Sequence, residues 1–214
     1  MDFVLTDTEA RVLGCLIEKG MATPDYYPLS LNALQNACNQ TSNREPVVSY
    51  DEQTVATALD TLKEKRLVSP SNVGRVPKYE ETFLKTANLV QREAAILCVL
   101  MLRGPQTVGE IRGRTERLHA FENLEEVQTT LQTLEEWGYV TLLPRQPGRK
   151  EPRYAHLLSG PQENREEGKA VSESAPRNAP MESEAVAKLE AEVKTLRQEL
   201  EALKQALLDF KSQF

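Results

Sequence analysis

Phosphate recognition is the chemistry that the spacing of basic side chains in this chain suggests most directly. Arg75 and Lys78 follow a turn around Gly74 in the first half of the chain, and Arg145, Arg149, Lys150 and Arg153 flank a matching turn in the second. Arg112 and Arg114, with Arg117 after them, form a third group. A guanidinium presents a planar fork that fits phosphate or carboxylate oxygens. A second kind of chemistry lies in the run 39–46, where Asn39, Gln40, Asn43 and Arg44 crowd amide and cationic donors into a few residues. Arg44 suits a partner's phosphate or carboxylate; alternatively, Asn39 and Asn43 cap helices and make the turn.

Catalytic chemistry has no comparable support. His119 and His156 are isolated and belong to no Ser/His/Asp or Cys/His pattern. Gly109 and Gly113 are followed by no GK[ST], so no phosphate loop is formed. Glu125–Glu126 and Glu135–Glu136 fall on a helix and read as solvated faces. Cys15, Cys38 and Cys98 are odd in number and lack CxxC spacing, which argues against a disulfide framework or a zinc site. Cys15 and Cys98 sit in apolar helical stretches and read as small buried hydrophobes. The expectation is a non-enzymatic protein with no cofactor and no metal.

Composition narrows the class further. The chain has 214 residues, is 40% hydrophobic and 27% charged, and carries a net charge of -6. Mild acidity argues against a general polyanion binder but permits a local basic patch. Met1 to Asp7 has no basic segment and no long apolar run, and no stretch reaches the ~20 apolar residues of a membrane span. A cytoplasmic protein without membrane partners is expected.

The elements that must position these residues come from an internal repeat. Leu5, Glu9, Ala10, Leu13, Leu16 and Gly20 recur as Leu89, Glu93, Ala94, Leu97, Leu100 and Gly104, at an offset of 84. Val55, Leu59, Thr61, Leu62, Glu64 and Val68 recur as Val127, Leu131, Thr133, Leu134, Glu136 and Val140, at an offset of 72. The first copy therefore carries 12 extra residues between these blocks. Gly74 to Tyr79 resembles Gly148 to Tyr154 as a third block.

Each copy reads as three helices and a β-hairpin. Thr6 and Glu9 make a capping box, Val12, Leu13, Leu16 and Ile17 follow at helical spacing, and Gly20 is expected to end the helix. A second helix is expected over 30–38 with Leu31, Leu34 and Ala37 inward; in the second copy Thr107 caps its counterpart, with Val108 and Ile111 inward. The third helix spans about 51–66 with Val55, Leu59 and Leu62 inward. Hairpin strands follow at 67–69 and 79–83, and again at 139–143 and 154–158, the second tip being Pro147–Gly148.

This is the winged-helix order. The predicted fold is mainly α with small β-hairpins: two tandem winged-helix domains over 1–85 and 86–159, a disordered linker over 160–181 and a coiled-coil helix over 182–214. Val186, Leu189, Val193, Leu196, Leu200, Leu203, Leu207 and Phe210 form an a/d heptad stripe. With valine at the early a positions and leucine at d, it predicts a homodimer through the C-terminal helix.

Three stretches, ACNQTSNREPV (37–47), GRVPKYEE (74–81) and RGPQTVGEIRGRTERLHAF (103–121), resemble the YceH-like family of bacterial proteins. The resemblance reaches about Leu158. It implies a tandem winged-helix fold and no particular activity.

Winged helices commonly dock their third helix in the major groove of DNA. Here the outward face of the first such helix is Gln53, Thr57, Asp60 and Glu64, and that of the second is Glu125, Thr129, Gln132 and Glu136. Neither centres on a cation, so contact with duplex DNA would be led by the wings. The first expectation is a DNA-associated regulator using wing residues and the 39–46 loop. The alternative is a protein-interaction scaffold, comparable in architecture alone to the chromosome-segregation protein ScpB.

Overall fold

A computed structural model describes residues 3–71, 76–145, 148 and 151–160. The fold is mainly helical, with two small antiparallel sheets. The linker and the heptad residues Val186, Leu189, Val193, Leu196, Leu200, Leu203, Leu207 and Phe210 lie outside the described residues.

The first copy begins with α1 (Asp7–Ala22). Its capping box forms as the sequence predicts: the Glu9 amide donates to Thr6 Oγ1 at 3.2 Å and the Thr6 amide to Glu9 Oε2 at 2.7 Å. Gly20 does not end the helix. The chain leaves it at Thr23 (φ -140°, ψ 60°), where Pro24 disfavours a helical residue before it. A short strand β1 (Leu29–Ser30) leads into α2 (Leu31–Cys38), capped by the Ser30 hydroxyl. Asp51 caps α3 (Glu52–Glu64), and β2 (Val68–Ser71) and β3 (Lys78–Glu81) complete the copy. Strand order is β1-β3-β2, all antiparallel, with Leu29 opposite Tyr79 and Val68 opposite Glu81.

One helical turn, α4 (Phe83–Thr86), joins this to the second copy: α5 (Gln91–Arg103), α6 (Val108–Thr115), α7 (Leu124–Glu136), β4 (Val140–Leu142) and β5 (Tyr154–His156). Val90 occupies the position of Thr6 but has no side-chain oxygen. Only the Glu93 half of the box survives there, with the Val90 amide donating to Glu93 Oε2 at 2.8 Å. Gln106 pairs through its backbone with Tyr154, a one-residue counterpart of β1.

The two copies share one core. Helix α5 is buried continuously from Glu93 to Leu102, because one side faces its own copy and the other faces α1. Gly14 makes the close approach possible: a Cβ there would stand 3.0 Å from Leu102 Cδ2. The Cys98 thiol donates to the Gly14 carbonyl at 3.5 Å across the same seam. Phe83 meets Phe3 and Tyr139 edge-to-face, tying the end of the first copy to the second. The described residues thus belong to one compact unit rather than two separable ones.

Candidate interaction surfaces

The 39–46 loop is occupied with holding the fold. Asn39 at the end of α2 receives the Tyr50 amide on Oδ1 and donates from Nδ2 to the Tyr50 carbonyl, both at 2.8 Å. Gln40 Oε1 accepts from Lys19 Nζ and Arg44 Nη2. Asn43 takes a positive φ of 62° and accepts from Arg103 on α5, and the Glu45 amide donates to the Leu102 carbonyl at 2.9 Å. The loop is therefore the strap between the copies.

Arg44 is the clearest correction to the sequence reading. It is buried, and its fork grips Glu18 of α1 with Nη1–Oε1 at 3.1 Å and Nη2–Oε2 at 2.6 Å. Its Nε donates to the Ala37 carbonyl at 3.1 Å. The carboxylate that Arg44 suits is internal, so no donor remains for a partner. Burial by itself opposes both charges, but each outweighs the penalty on the other: Arg44 is held firmly protonated and the Glu18 carboxyl lies below its ordinary range. Of the loop, Thr41, Ser42, Asn43, Glu45, Pro46 and Val47 are exposed.

Sequence reasoning missed Arg11 and Glu18. Arg11 is buried and donates to the carbonyls of Cys38 (3.3 Å) and Pro46 (2.6 Å). The signal was present: Arg11, Cys15 and Glu18 are spaced four and three apart, placing two charges and a thiol on one helical face.

Several basic residues expected at nucleic acid also bond to acceptors within the fold. Arg112 donates to the carbonyls of Phe121 (3.4 Å) and Glu122 (2.9 Å), fixing the α6–α7 connection. Arg114 donates to Gln106 and faces Glu110 at 3.8 Å. Arg153 donates to the Pro105 carbonyl at 3.2 Å and lies 3.5 Å from the same Glu110. Burial tends to raise the Glu110 carboxyl, but the Thr107 amide and the two arginines bring it below its usual range. Lys78 lies on β3 without an ion pair among the described residues, and Arg145 is exposed beyond β4. Arg75, Arg149 and Lys150 lie outside the described residues.

The outward faces of α3 and α7 are as the periodicity places them. Gln53, Thr57, Asp60 and Glu64 are exposed, as are Glu125, Thr129, Gln132 and Glu136. Helix α7 contains no lysine or arginine. Its two ends carry half-exposed apolar residues, Leu124 (49%) and Trp137 (50%).

His119 stacks edge-on against Phe121 with Nε2 3.7 Å from Glu126. His156 is buried in β5 and its Nδ1 has no hydrogen-bond partner. Among the described residues, no group of His, Cys, Asp and Glu is placed to hold a metal ion, and no helix is long and apolar enough to cross a membrane.

These features define a mainly helical protein, built from a duplicated helical unit whose copies are fused through their first helices. The chain belongs to the family described as proteins of unknown function DUF480, whose model matches residues 5–149. It is 53% identical to a UPF0502 protein of Solibacter usitatus and 50% identical to one of Pelobacter propionicus, over the full length of both chains in each case. A UPF0502 protein of Aeromonas hydrophila is 46% identical over 97% of this chain and 98% of its own. The family membership to which the three sequence stretches point is borne out.

Proposed function

We propose that this is a non-enzymatic tandem winged-helix protein that works as a protein-interaction scaffold, presenting the exposed faces of α3 and α7 to a protein partner. The observation that carries this reading is the electrostatics of those faces. The third helices expose amides, hydroxyls and carboxylates, while Arg112, Arg114 and Arg153 spend donors on internal acceptors. Carboxylates beside phosphate repel, and counterion release, the main source of non-specific affinity for DNA, needs available cations. A partner with basic and apolar side chains suits α7, whose acidic surface ends in Leu124 and Trp137. The heptad stripe over 182–214 supports a pair of chains, which would present these faces twice.

A second reading keeps the DNA-associated regulator. Lys78 on the first hairpin and the exposed Arg117 have no ion pair among the described residues, and such charges suit phosphate contact led by the wings. Arg75, Arg149 and Lys150 would belong to the same contact.

The scaffold reading predicts that tagged full-length protein captures one stoichiometric protein from nuclease-treated lysate of its own cells. Glu125→Lys/Glu136→Lys is expected to lose that capture. Both positions are exposed, so stability should change by no more than about 0.5 kcal/mol each. Capture that disappears on nuclease treatment, or that survives the double charge reversal, would overturn the assignment of this face.

A further inference from the structure

We infer that the C-terminal end of α7 receives a lysine side chain of the protein partner, its ammonium pairing with Glu93 and its stem lying against Trp137. The inference rests on the scaffold reading and names the contact that α7 makes. The two copies supply it together, because the first fills the same place from within. There Lys65 follows α3 and turns back onto α1. Its Nζ donates to Glu9 Oε1 at 2.6 Å, to Glu9 Oε2 at 2.7 Å and to the Val4 carbonyl at 2.9 Å. The Thr6 amide holds the Glu9 carboxylate in position. Glu9 is only 4% exposed, whereas the Lys65 side chain is 27% exposed. A long side chain therefore reaches this buried carboxylate from the surface.

The second copy repeats the frame. Trp137 stands at the position of Lys65 and Glu93 at that of Glu9, by the offsets of 72 and 84. The Trp137 amide donates to the Thr133 carbonyl at 3.1 Å, as the Lys65 amide does to the Thr61 carbonyl at 3.0 Å. The Tyr139 amide donates to the Leu134 carbonyl at 2.8 Å, as the Leu67 amide does to the Leu62 carbonyl at 2.9 Å. On α5 the Val90 amide holds Glu93 Oε2 at 2.8 Å, as Thr6 holds Glu9. The cation is what differs. Glu93 is 3% exposed, and its ion pair among the described residues is with the exposed Arg92, whose Nε lies 3.7 Å from Oε1, beyond hydrogen-bond reach. A carboxylate so buried is stabilised by a cation that hydrogen-bonds to it.

The surroundings set the chemistry of the incoming group. Trp137 is half-exposed, and an indole face attracts an ammonium and covers a methylene stem. Glu136 is exposed, α7 carries no lysine or arginine, and the carbonyl end of a helix favours positive charge. Leu142 on β4 is exposed as well, its amide donating to Glu135 Oε1 at 3.1 Å, so an apolar residue beside the partner's lysine has a surface to meet. Lysine, rather than arginine, follows from the first copy, where one Nζ meets both carboxylate oxygens.

Two experiments on the full chain test this. Urea unfolding compares Trp137→Lys with Trp137→Met, which is similar in length and uncharged. The lysine variant is expected to have the higher midpoint, and the difference should vanish when Glu93→Gln is added to both, glutamine keeping an oxygen for the Val90 amide. Equal midpoints with Glu93 present would overturn the inference without reference to any partner. Anisotropy at physiological salt then follows a fluorescein-labelled peptide that alternates lysine with leucine, while emission from Trp137, the single tryptophan, reports on the same site. Binding is expected to weaken about tenfold or more in Glu93→Gln, in Trp137→Lys, and for a peptide with glutamine in place of lysine. Binding that is unchanged in Glu93→Gln but lost in Glu125→Lys/Glu136→Lys would overturn the inference and leave the scaffold reading standing. Binding that is unchanged in both would overturn the two together. No binding to the wild type would overturn the inference alone, since the capture experiment decides the scaffold reading separately.

Discussion

Replacing Arg44 by alanine is expected to lower the unfolding free energy by about 3–5 kcal/mol, the usual cost of removing one partner of a buried ion pair. The Arg44 side chain is fully buried and that of Glu18 is 15% exposed, so solvent screens little of the loss. Glu18 would keep only Lys19, at 3.4 Å, and the Ala37 carbonyl would lose a donor. The strap would loosen as well, because Arg44 shares Gln40 with Lys19 and sits between Asn43 and Glu45, which anchor it to α5. Urea unfolding of the full chain measures the effect. Arg44→Lys, which keeps the charge but not the fork, should fall between the wild type and alanine. A change within about 0.5 kcal/mol for Arg44→Ala would mean that the pair does not hold the strap.

Acidification provides the second large effect. Burial pushes the His156 imidazole down to about 4, and the nearby Asp7 charge offsets only part of that. In the unfolded chain the ring titrates near 6.5. The folded state therefore excludes a proton that the unfolded state accepts. This residue's contribution is fully present above about pH 6.5, erodes as pH falls toward 4, and is then gone, a loss of roughly 3 kcal/mol. Two carboxylates in ion pairs act lower on the scale. Glu9 and Glu18 lie below the ordinary 4.5, so their contribution is lost only as pH falls beneath that value. Between about pH 6.5 and 4.5 the slope should be set mainly by His156, opposed toward the lower end by Glu81, whose carboxyl burial raises. Stability curves of wild type and His156→Leu should diverge across that window, the variant being flatter. Parallel curves would show that the ring is not held neutral by burial.

Much of the fold was legible because its signals are local. Thr6 with Glu9 marks a helix start through residues three apart, and that box forms; Thr107 caps α6 as expected, and Glu110 completes a second box that was not anticipated. The inward and outward faces of α3 and α7 follow from the 3.6-residue period and are as expected. Strand β1 has only two residues, too short for any alternation, and was not anticipated. The fusion of the copies was hidden as well. It depends on Gly14 accepting Leu102, a fit between residues far apart in the chain. The roles of the arginines were least legible. Arg112 and Arg153 bind backbone carbonyls, which every residue possesses, so no partner side chain marks them in the sequence. Arg44 was expected to suit a carboxylate and does, but Glu18, on the preceding helix, is brought to it only by the packing of α1 on α2.

The claim that the acidic third helices meet protein rather than DNA is tested most directly by fluorescence anisotropy of labelled duplex DNA with the full chain, over a salt series from low to physiological ionic strength, with Arg149→Ala/Lys150→Ala/Arg153→Ala alongside. The scaffold account predicts at most weak binding at low salt and none at physiological salt. Tight binding that falls steeply with salt and is lost in the triple variant would contradict it, and would establish phosphate contact through the second hairpin instead.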